Sequence, residues 1–164
     1  MATPQHTPTG RGFDSSLVYF HHANDFWTRE TGGCAGGSSI DPLRPHQKEH
    51  FSCVDLWDTD GPAASANASA GAAGMYEEEL FKKRALAEIA SHPATTPFFL
   101  YYASHLAHLP YEVPEAWNQT YSFIDNPNRR TYHAMVGYLD GVVGELVAAF
   151  QKKGLWENTL MVFT

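Results

Sequence analysis

The feature that most constrains the fold is a long stretch of helical periodicity between two short apolar runs. Asn126 can cap the start of this helix, and Pro127 suits its first turn. A Lys-Lys-Gly sequence at residues 152–154 marks its end. The apolar side chains recur at a spacing of about 3.6 residues, which predicts one buried face made of Tyr132, Met135, Val136, Leu139, Val143, Leu146, Val147 and Phe150.

Each flanking run has the composition of a strand that is buried on both faces. Residues 97–103 (PFFLYYA) and residues 159–164 (TLMVFT) are short, apolar and rich in aromatic or branched side chains. Strand, helix and strand in this order, with long loops after the strands, predict an α/β sheet. Residues 97–103 are predicted to be a central strand of that sheet.

A second helix is predicted at residues 75–91. Its acidic first turn suits the positive end of the helix dipole, and Pro93 ends it. Glu78 and Lys82 have the i,i+4 spacing of an ion pair. The apolar face of this helix is predicted to comprise Leu80, Phe81, Ala85 and Ile89.

The first half of the chain is predicted to be mostly loop, with short strands at residues 17–20 and 53–57. Residues 58–74 are rich in Ala, Gly and Ser and have hardly any large side chain, which predicts a flexible surface loop. Asp55 and Asp58 are interpreted as solvated carboxylates rather than as a metal or acid–base pair. On a strand, residues three apart point to opposite faces.

The charge pattern argues against nucleic acid as a partner. The net charge is −7, and the 11 Lys and Arg residues are scattered rather than gathered into a basic run. No apolar stretch reaches the length of about 18 residues that a membrane span needs. The first residues also lack an apolar segment that follows basic residues. The sequence as given therefore predicts neither a membrane span nor a signal peptide.

Two cysteines and two glycosylation sequons indicate an oxidising compartment. Cys34 and Cys53 flank a segment rich in Gly, Ser and Pro, and the sequons place candidate glycans on Asn67 and Asn118. The alternative is a pair of buried free thiols with two chance sequons. A pair of cysteines is also too few for a zinc site without histidines at tight spacing, so no metal site is predicted.

Candidate chemistry follows the apolar run at residues 97–103, where His105 and His108 occur. Ligands in open α/β sheets bind at the carboxyl ends of strands. An imidazole at such a place can donate a hydrogen bond to an anionic oxygen or protonate a leaving group near neutral pH. The alternative is that one or both are ordinary surface or capping histidines.

Several segments together resemble the arylsulfatase family, in particular its arylsulfatase B branch. They occur in the family's order and extend over nearly the whole chain. The matching segments are residues 8–14 (PTGRGFD) with Tyr19 and Phe20, residues 97–101 (PFFLY), 108–110 (HLP) and 113–115 (VPE), and residues 135–150 with 154–160 (GLWENTL).

The resemblance implies a partial alkaline-phosphatase-like α/β sandwich, with a mixed central sheet flanked by helices, over residues 1–164. It implies hydrolysis of sulfate esters of glycans or aryl compounds by a formylglycine nucleophile and a Ca²⁺ ion. His108 would be the sulfate-contacting histidine, acting as general acid or oxygen-binding donor. Cys34 and Cys53 would close a disulfide, and the compartment would be extracellular or lysosome-like.

The sequence also departs from the family pattern. It contains no Cys-x-Pro-x-Arg motif for the formylglycine, and the family's calcium ligands have no counterpart in it. The expectation is an incomplete piece of the catalytic domain that is inactive alone. Two alternatives stay open: a noncatalytic sulfatase-like remnant, and a phosphate or phosphonate ester hydrolase of the same superfamily.

Overall fold

The computed structural model describes residues 3–20, 24–32, 52–59, 61–62 and 74–164. The chain divides into two compact units, Met1–Glu77 and Glu78–Thr164. The strands found within the described ranges all belong to the first unit. The second unit is built on helices.

The described part of the first unit contains two small antiparallel sheets and two short 3-10 helices, Pro4–His6 and Thr9–Arg11. In one, β4 (Trp57–Asp58) lies between β1 (Leu17–Val18) and β5 (Gly61–Pro62). In the other, β2 (Glu30–Gly32) pairs with β3 (Ser52–Val54). The strand predicted at residues 17–20 is thus confirmed in its first half. The strand predicted at residues 53–57 is divided between β3 and β4.

Asp55 lies between β3 and β4 and is buried, so its interpretation as a solvated carboxylate is wrong. Both of its carboxylate oxygens accept a hydrogen bond from the Phe20 backbone N–H, each at 3.1 Å. A buried carboxylate needs such donors to offset its lost hydration. Within the predicted loop at residues 58–74, β5 is described, and residues 63–73 lie outside the described ranges.

The second unit contains α1 (Glu77–Ser91, which begins at the boundary), α2 (Glu115–Thr120) and α3 (Pro127–Lys153). Both predicted ends of α3 are confirmed. The Asn126 side chain accepts a hydrogen bond from the Arg129 N–H at 3.0 Å, as an N-cap does. Gly154 follows the last turn with a φ of 74°, which glycine adopts without strain.

The buried face of α3 includes Met135, Leu146 and Phe150 of the predicted face but is centred on Tyr138. Its buried residues are Ala134, Met135, Tyr138, Val142, Leu146 and Phe150. Tyr132 and Val136, which the periodicity placed in the core, are exposed. The reason is that α1 and α2 both pack on the Tyr138 side. The Trp117 ring of α2 lies 5.3 Å from the Tyr138 ring, and the Tyr138 hydroxyl donates to Glu79 of α1 at 2.8 Å.

The two predicted buried strands are not strands in the structure. Residues 97–103 and 159–164 lack regular secondary structure, and Phe99, Tyr101 and Leu160 are 74%, 72% and 88% exposed. Neither run pairs with another strand among the described residues, so no backbone ladder forms. Burial alternates along residues 98–102, as expected for a chain with one packed face.

By length and composition, α3 could also cross a membrane, and it is the one such helix within the described ranges. The core helix of a soluble protein passes the same test. Here the buried side chains of α3 share one face, and its Glu145 forms an ion pair with Lys82 at 2.8 Å. The composition is therefore weak evidence for a membrane span.

Two glycines of α3 provide a matched pair of substitutions. A methyl group at Gly137 would collide with the Tyr121 side chain, whereas a methyl group at Gly144 would meet open space. We expect Gly137→Ala to destabilise the protein by about 1–2 kcal/mol, because overpacking outweighs the gain in helix propensity. We expect Gly144→Ala to stabilise it by up to about 1 kcal/mol. Urea denaturation measures both, and equal effects would contradict the close approach of Tyr121.

Candidate functional site

His108 lies at the surface, in the irregular segment that follows residues 97–103. Its Nδ1 atom is 2.8 Å from the carbonyl oxygen of Leu109. A carbonyl oxygen accepts only, so the neutral imidazole carries its proton on Nδ1, and Nε2 is the nitrogen that can bind a further proton. The ring can therefore present an N–H or a lone pair to solvent through Nε2.

A short turn of the backbone holds His108. Its backbone N–H donates to the carbonyl oxygen of His105 at 2.8 Å, and the Leu106 N–H donates to the Ser104 Oγ at 3.1 Å. The peptide bonds before Ala107 and Pro110 are cis. Because these two hydrogen bonds end on Ser104 and His105, the conformation of the turn depends on the positions of those residues.

His105 is not a surface histidine, because its side chain packs into the second unit against Glu78 of α1. The two side chains are 2% and 0% exposed, and His105 Nδ1 lies 3.5 Å from Glu78 Oε2. The other oxygen of the Glu78 carboxyl group, Oε1, accepts a hydrogen bond from the Tyr102 hydroxyl at 2.5 Å. The Phe81 ring meets the imidazole edge-on at 5.9 Å.

The predicted Glu78–Lys82 ion pair is therefore wrong. Lys82 instead contacts Glu79 at 2.7 Å and Glu145 at 2.8 Å. Helical spacing puts Glu78 and Lys82 one turn apart, but tertiary packing turns the Glu78 side chain into the interior. No signal in the sequence separates this glutamate from its neighbours in the acidic run at residues 77–79.

Burial controls the protonation of this cluster. Loss of hydration raises the pKa of Glu78, while hydrogen bonds from Tyr102 and Ser104 oppose the rise. Burial, together with the nearby charge of His108, lowers the pKa of His105 to about 4. Burial and the carboxylate of Glu78 raise the pKa of Tyr102. At neutral pH these shifts leave His105 neutral beside the buried carboxyl group of Glu78.

The low pKa of His105 predicts a loss of stability in mild acid. The unfolded imidazole binds a proton below about pH 6.5, whereas the folded one resists until about pH 4. Stability is therefore lost as the pH falls through this window. Between pH 7 and pH 4 we expect the wild type to lose about 3 kcal/mol more than a His105→Gln variant. Glu78, whose pKa is raised, contributes in the opposite direction in both proteins.

Unfolding free energies from urea titrations at the two pH values provide the measurement. Ile89→Val is the control, because it shortens a buried apolar side chain of α1 in the same unit. Its cost of about 1 kcal/mol should be the same at both pH values. A pH dependence that His105→Gln leaves unchanged would contradict the buried neutral imidazole.

A second buried polar cluster lies in the first unit around Arg29, which is 1% exposed. Its Nη2 donates to the Met75 carbonyl oxygen at 2.6 Å. Burial lowers the pKa of Arg29, whereas the charges of Glu77 and Asp25 raise it. Glu77, also buried, accepts a hydrogen bond from Asn24 Nδ2 at 2.8 Å. Because Arg29 and Glu77 are both buried and hydrogen-bond to other groups of the first unit, we interpret the cluster as structural.

The remaining predicted sites are only partly within the described residues. Cys34 and Asn67 lie outside them, and Cys53 belongs to β3, so the disulfide and the first glycan stay predictions. Asn118 lies half-buried in α2, where its Nδ2 is 3.5 Å from Glu115 Oε2. Its glycosylation also stays a prediction.

The calcium ion that the resemblance implies finds no cage in the described part of the chain. No group of three or more His, Cys, Asp or Glu side chains there could hold a metal ion. The described residues thus do not fit such an ion. His108, the predicted catalytic residue, is exposed to solvent.

Comparison with known proteins adds independent findings. A sequence model of the family described as Sulfatase matches residues 1–164. Arylsulfatase J of Mus musculus is 26% identical over 160 residues, which cover 96% of this chain and 23% of that protein. Arylsulfatase A of Homo sapiens is 40% identical over 68 residues, which cover 42% of this chain and 12% of that protein. The chain thus spans less than a quarter of the length of these relatives.

A solved structure shares the fold. The crystal structure of Ps i-CgsB in complex with k-i-k-neocarrahexaose matches with a TM-score of 0.68 at 24% sequence identity. The match covers 96% of this chain and 33% of that chain. It confirms the predicted alkaline-phosphatase-like α/β fold class. The present chain forms a part of that fold.

Proposed function

Because this chain belongs to the sulfatase family, we propose that it contributes His108 to the active site of a sulfate ester hydrolase. The single observation that carries the proposal is the exposed imidazole of His108. It follows the apolar run at residues 97–103, and its Nδ1 bonds to the adjacent carbonyl oxygen, which leaves Nε2 for a ligand. The activity of the whole protein is part of the proposal, since the chain spans only 23% of its relative arylsulfatase J.

Hydrolysis of a sulfate ester transfers the sulfuryl group from an alcohol oxygen to the oxygen of water, and the departing alcohol oxygen gains negative charge until it takes up a proton. A protonated imidazole can donate its Nε2–H to that oxygen or to a sulfuryl oxygen, and so lower the barrier. The formylglycine and the calcium ion implied by the resemblance are not assigned to residues of this chain. The step assigned to this chain is therefore proton donation by His108.

A glycan is the proposed substrate class, with aryl sulfates as the simpler alternative. The structural neighbour was solved with a neocarrahexaose bound, which supports an oligosaccharide. The sequons at Asn67 and Asn118 and the pair Cys34 and Cys53 support a secreted or lysosome-like compartment. Mass spectrometry of the expressed protein, before and after deglycosylation and reduction, tests this last part.

A His108→Ala variant of the full-length protein tests the proposal. With 4-nitrophenyl sulfate and a carrageenan oligosaccharide as substrates, we expect kcat to fall by about 10²-fold, the lower range for loss of a general acid. His133→Ala is the matched control, because His133 bonds through its Nδ1 to Arg129 within α3. The control should keep its rate.

Two results would support the alternatives instead. Faster hydrolysis of 4-nitrophenyl phosphate than of the sulfate would indicate a phosphate ester hydrolase. A folded protein that cleaves neither ester would indicate a noncatalytic sulfatase-like remnant. Equal rates for His108→Ala and the wild type would remove His108 from the site.

A further inference from the structure

We propose that Glu78 is a positioning residue for His108 and acts on it through His105 and Tyr102. The inference rests on the proposed function, because it matters for catalysis only if His108 meets the substrate. Glu78 itself is fully buried. Its role would be to fix the segment that carries His108.

The first argument is geometric, because the carboxyl group of Glu78 contacts the segment at two points. The Oε1 atom of Glu78 accepts a hydrogen bond from the Tyr102 hydroxyl at 2.5 Å, and its Oε2 atom lies 3.5 Å from His105 Nδ1. Tyr102 precedes the turn, and the carbonyl oxygen of His105 accepts the backbone N–H of His108 at 2.8 Å. Glu78 thus hydrogen-bonds to Tyr102, which precedes the turn, and contacts His105, whose carbonyl oxygen anchors it.

The second argument comes from energetics. Burying a carboxyl and an imidazole costs hydration, and apolar side chains of the same volume often stabilise a protein at least as well. Polar contacts are directional and apolar contacts are not, because the strength of a hydrogen bond depends on its angle as well as on its distance. The arrangement around Glu78 is therefore better suited to orienting the turn than to stabilising the unit.

The third argument concerns charge. The groups that face Glu78 are Tyr102, Ser104 and His105. The charges of Tyr138 and Glu79 also act on Tyr102, and the charge of His108 acts on His105. Burial keeps His105 neutral at ordinary pH. A neutral His105 does not repel a positive charge on His108. The contact between Glu78 and His105 can therefore hold the turn when His108 donates a proton.

The test compares Glu78→Ala and Glu78→Gln with the control Ile89→Ala. Ile89 is buried on the same helix, so its truncation weakens the unit without touching the turn. Two readouts by nuclear magnetic resonance apply to each protein. One is the exchange rate of the His108 amide hydrogen. The other is the shift of the His108 imidazole signals as inorganic sulfate is added.

We expect Glu78→Ala to speed His108 amide exchange at least about tenfold more than Ile89→Ala does, after correction for global stability. We expect its sulfate midpoint to rise about tenfold. Glu78→Gln should restore both readouts to within about threefold of the wild type, because its amide oxygen can still accept a hydrogen bond from Tyr102 and the side chain still fills the space beside His105.

Two results would overturn the inference. If Glu78→Ala and Ile89→Ala speed exchange equally, Glu78 only stabilises the unit. If Glu78→Gln behaves like Glu78→Ala, hydrogen bonding by this side chain does not hold the turn. The proposed function fails separately: a wild type whose His108 signals ignore sulfate, with the exchange contrast intact, would keep Glu78 as the holder of the turn and remove His108 from sulfate binding.

Discussion

Replacing Arg29 with Met is expected to lower the free energy of unfolding by about 3–5 kcal/mol, the cost of leaving a buried charge without the opposite charge that acts on it. The variant loses the hydrogen bond from Nη2 to the Met75 carbonyl oxygen. It also leaves the buried Glu77 without the cation whose charge acts on it. An uncompensated carboxylate in the interior is the larger of the two costs. Chemical denaturation followed by circular dichroism measures the loss.

Arg11→Met is the matched control for this prediction, because it makes the same change at an exposed position of the first unit. Its effect should stay within about 0.5 kcal/mol. The double variant Arg29→Met with Glu77→Met removes both charges and should be less destabilised than the sum of the single changes. Strict additivity of the two single effects would show that Arg29 and Glu77 do not interact.

Truncating Met135 to Ala is expected to cost about 2–5 kcal/mol, through lost burial and the cavity that remains. Met135 is 0% exposed and lies on the buried face of α3 with Tyr138. Interiors are packed closely and relax only in part around a deletion, so the neighbours cannot fill the space. The midpoint of urea denaturation should fall, while the m-value stays unchanged.

Val136→Ala is the control for the packing of α3. Val136 follows Met135 directly but is 47% exposed. Its truncation should change the unfolding free energy by no more than about 0.5 kcal/mol. The helical periodicity of the sequence predicts Val136 in the core, so the two variants also distinguish the predicted face from the observed one. A larger cost for Val136→Ala than for Met135→Ala would contradict the structure.

Local chemistry explains why the helix boundaries could be predicted. The N-cap at Asn126 and the left-handed Gly154 satisfy backbone groups within a few residues of chain. Such signals act over one turn, so the sequence displays them directly. Membership of the sulfatase family was readable for a similar reason, because short segments in a fixed order carry the resemblance.

Tertiary structure alone decided which polar side chains enter the interior. Glu77, Glu78 and Glu79 are consecutive and chemically alike, yet the first two are fully buried, whereas the third is partly exposed and forms ion pairs with Lys82 and Lys83. Arg29 and Asp55 likewise gain their partners from distant parts of the chain. Periodicity records how side chains are spaced along one element, but it contains no information on what packs against that element.

The sequence by itself determined the ends of α3, the sulfatase family and the candidate imidazole of His108. Only the tertiary structure decided that Tyr138 lies at the centre of the buried face of α3. It also decided that residues 97–103 have one packed face and that Glu78 lies beneath the turn of His108. The physical reason is the range of the forces involved: caps and turns are satisfied locally, whereas burial depends on surfaces that meet only when the chain is folded.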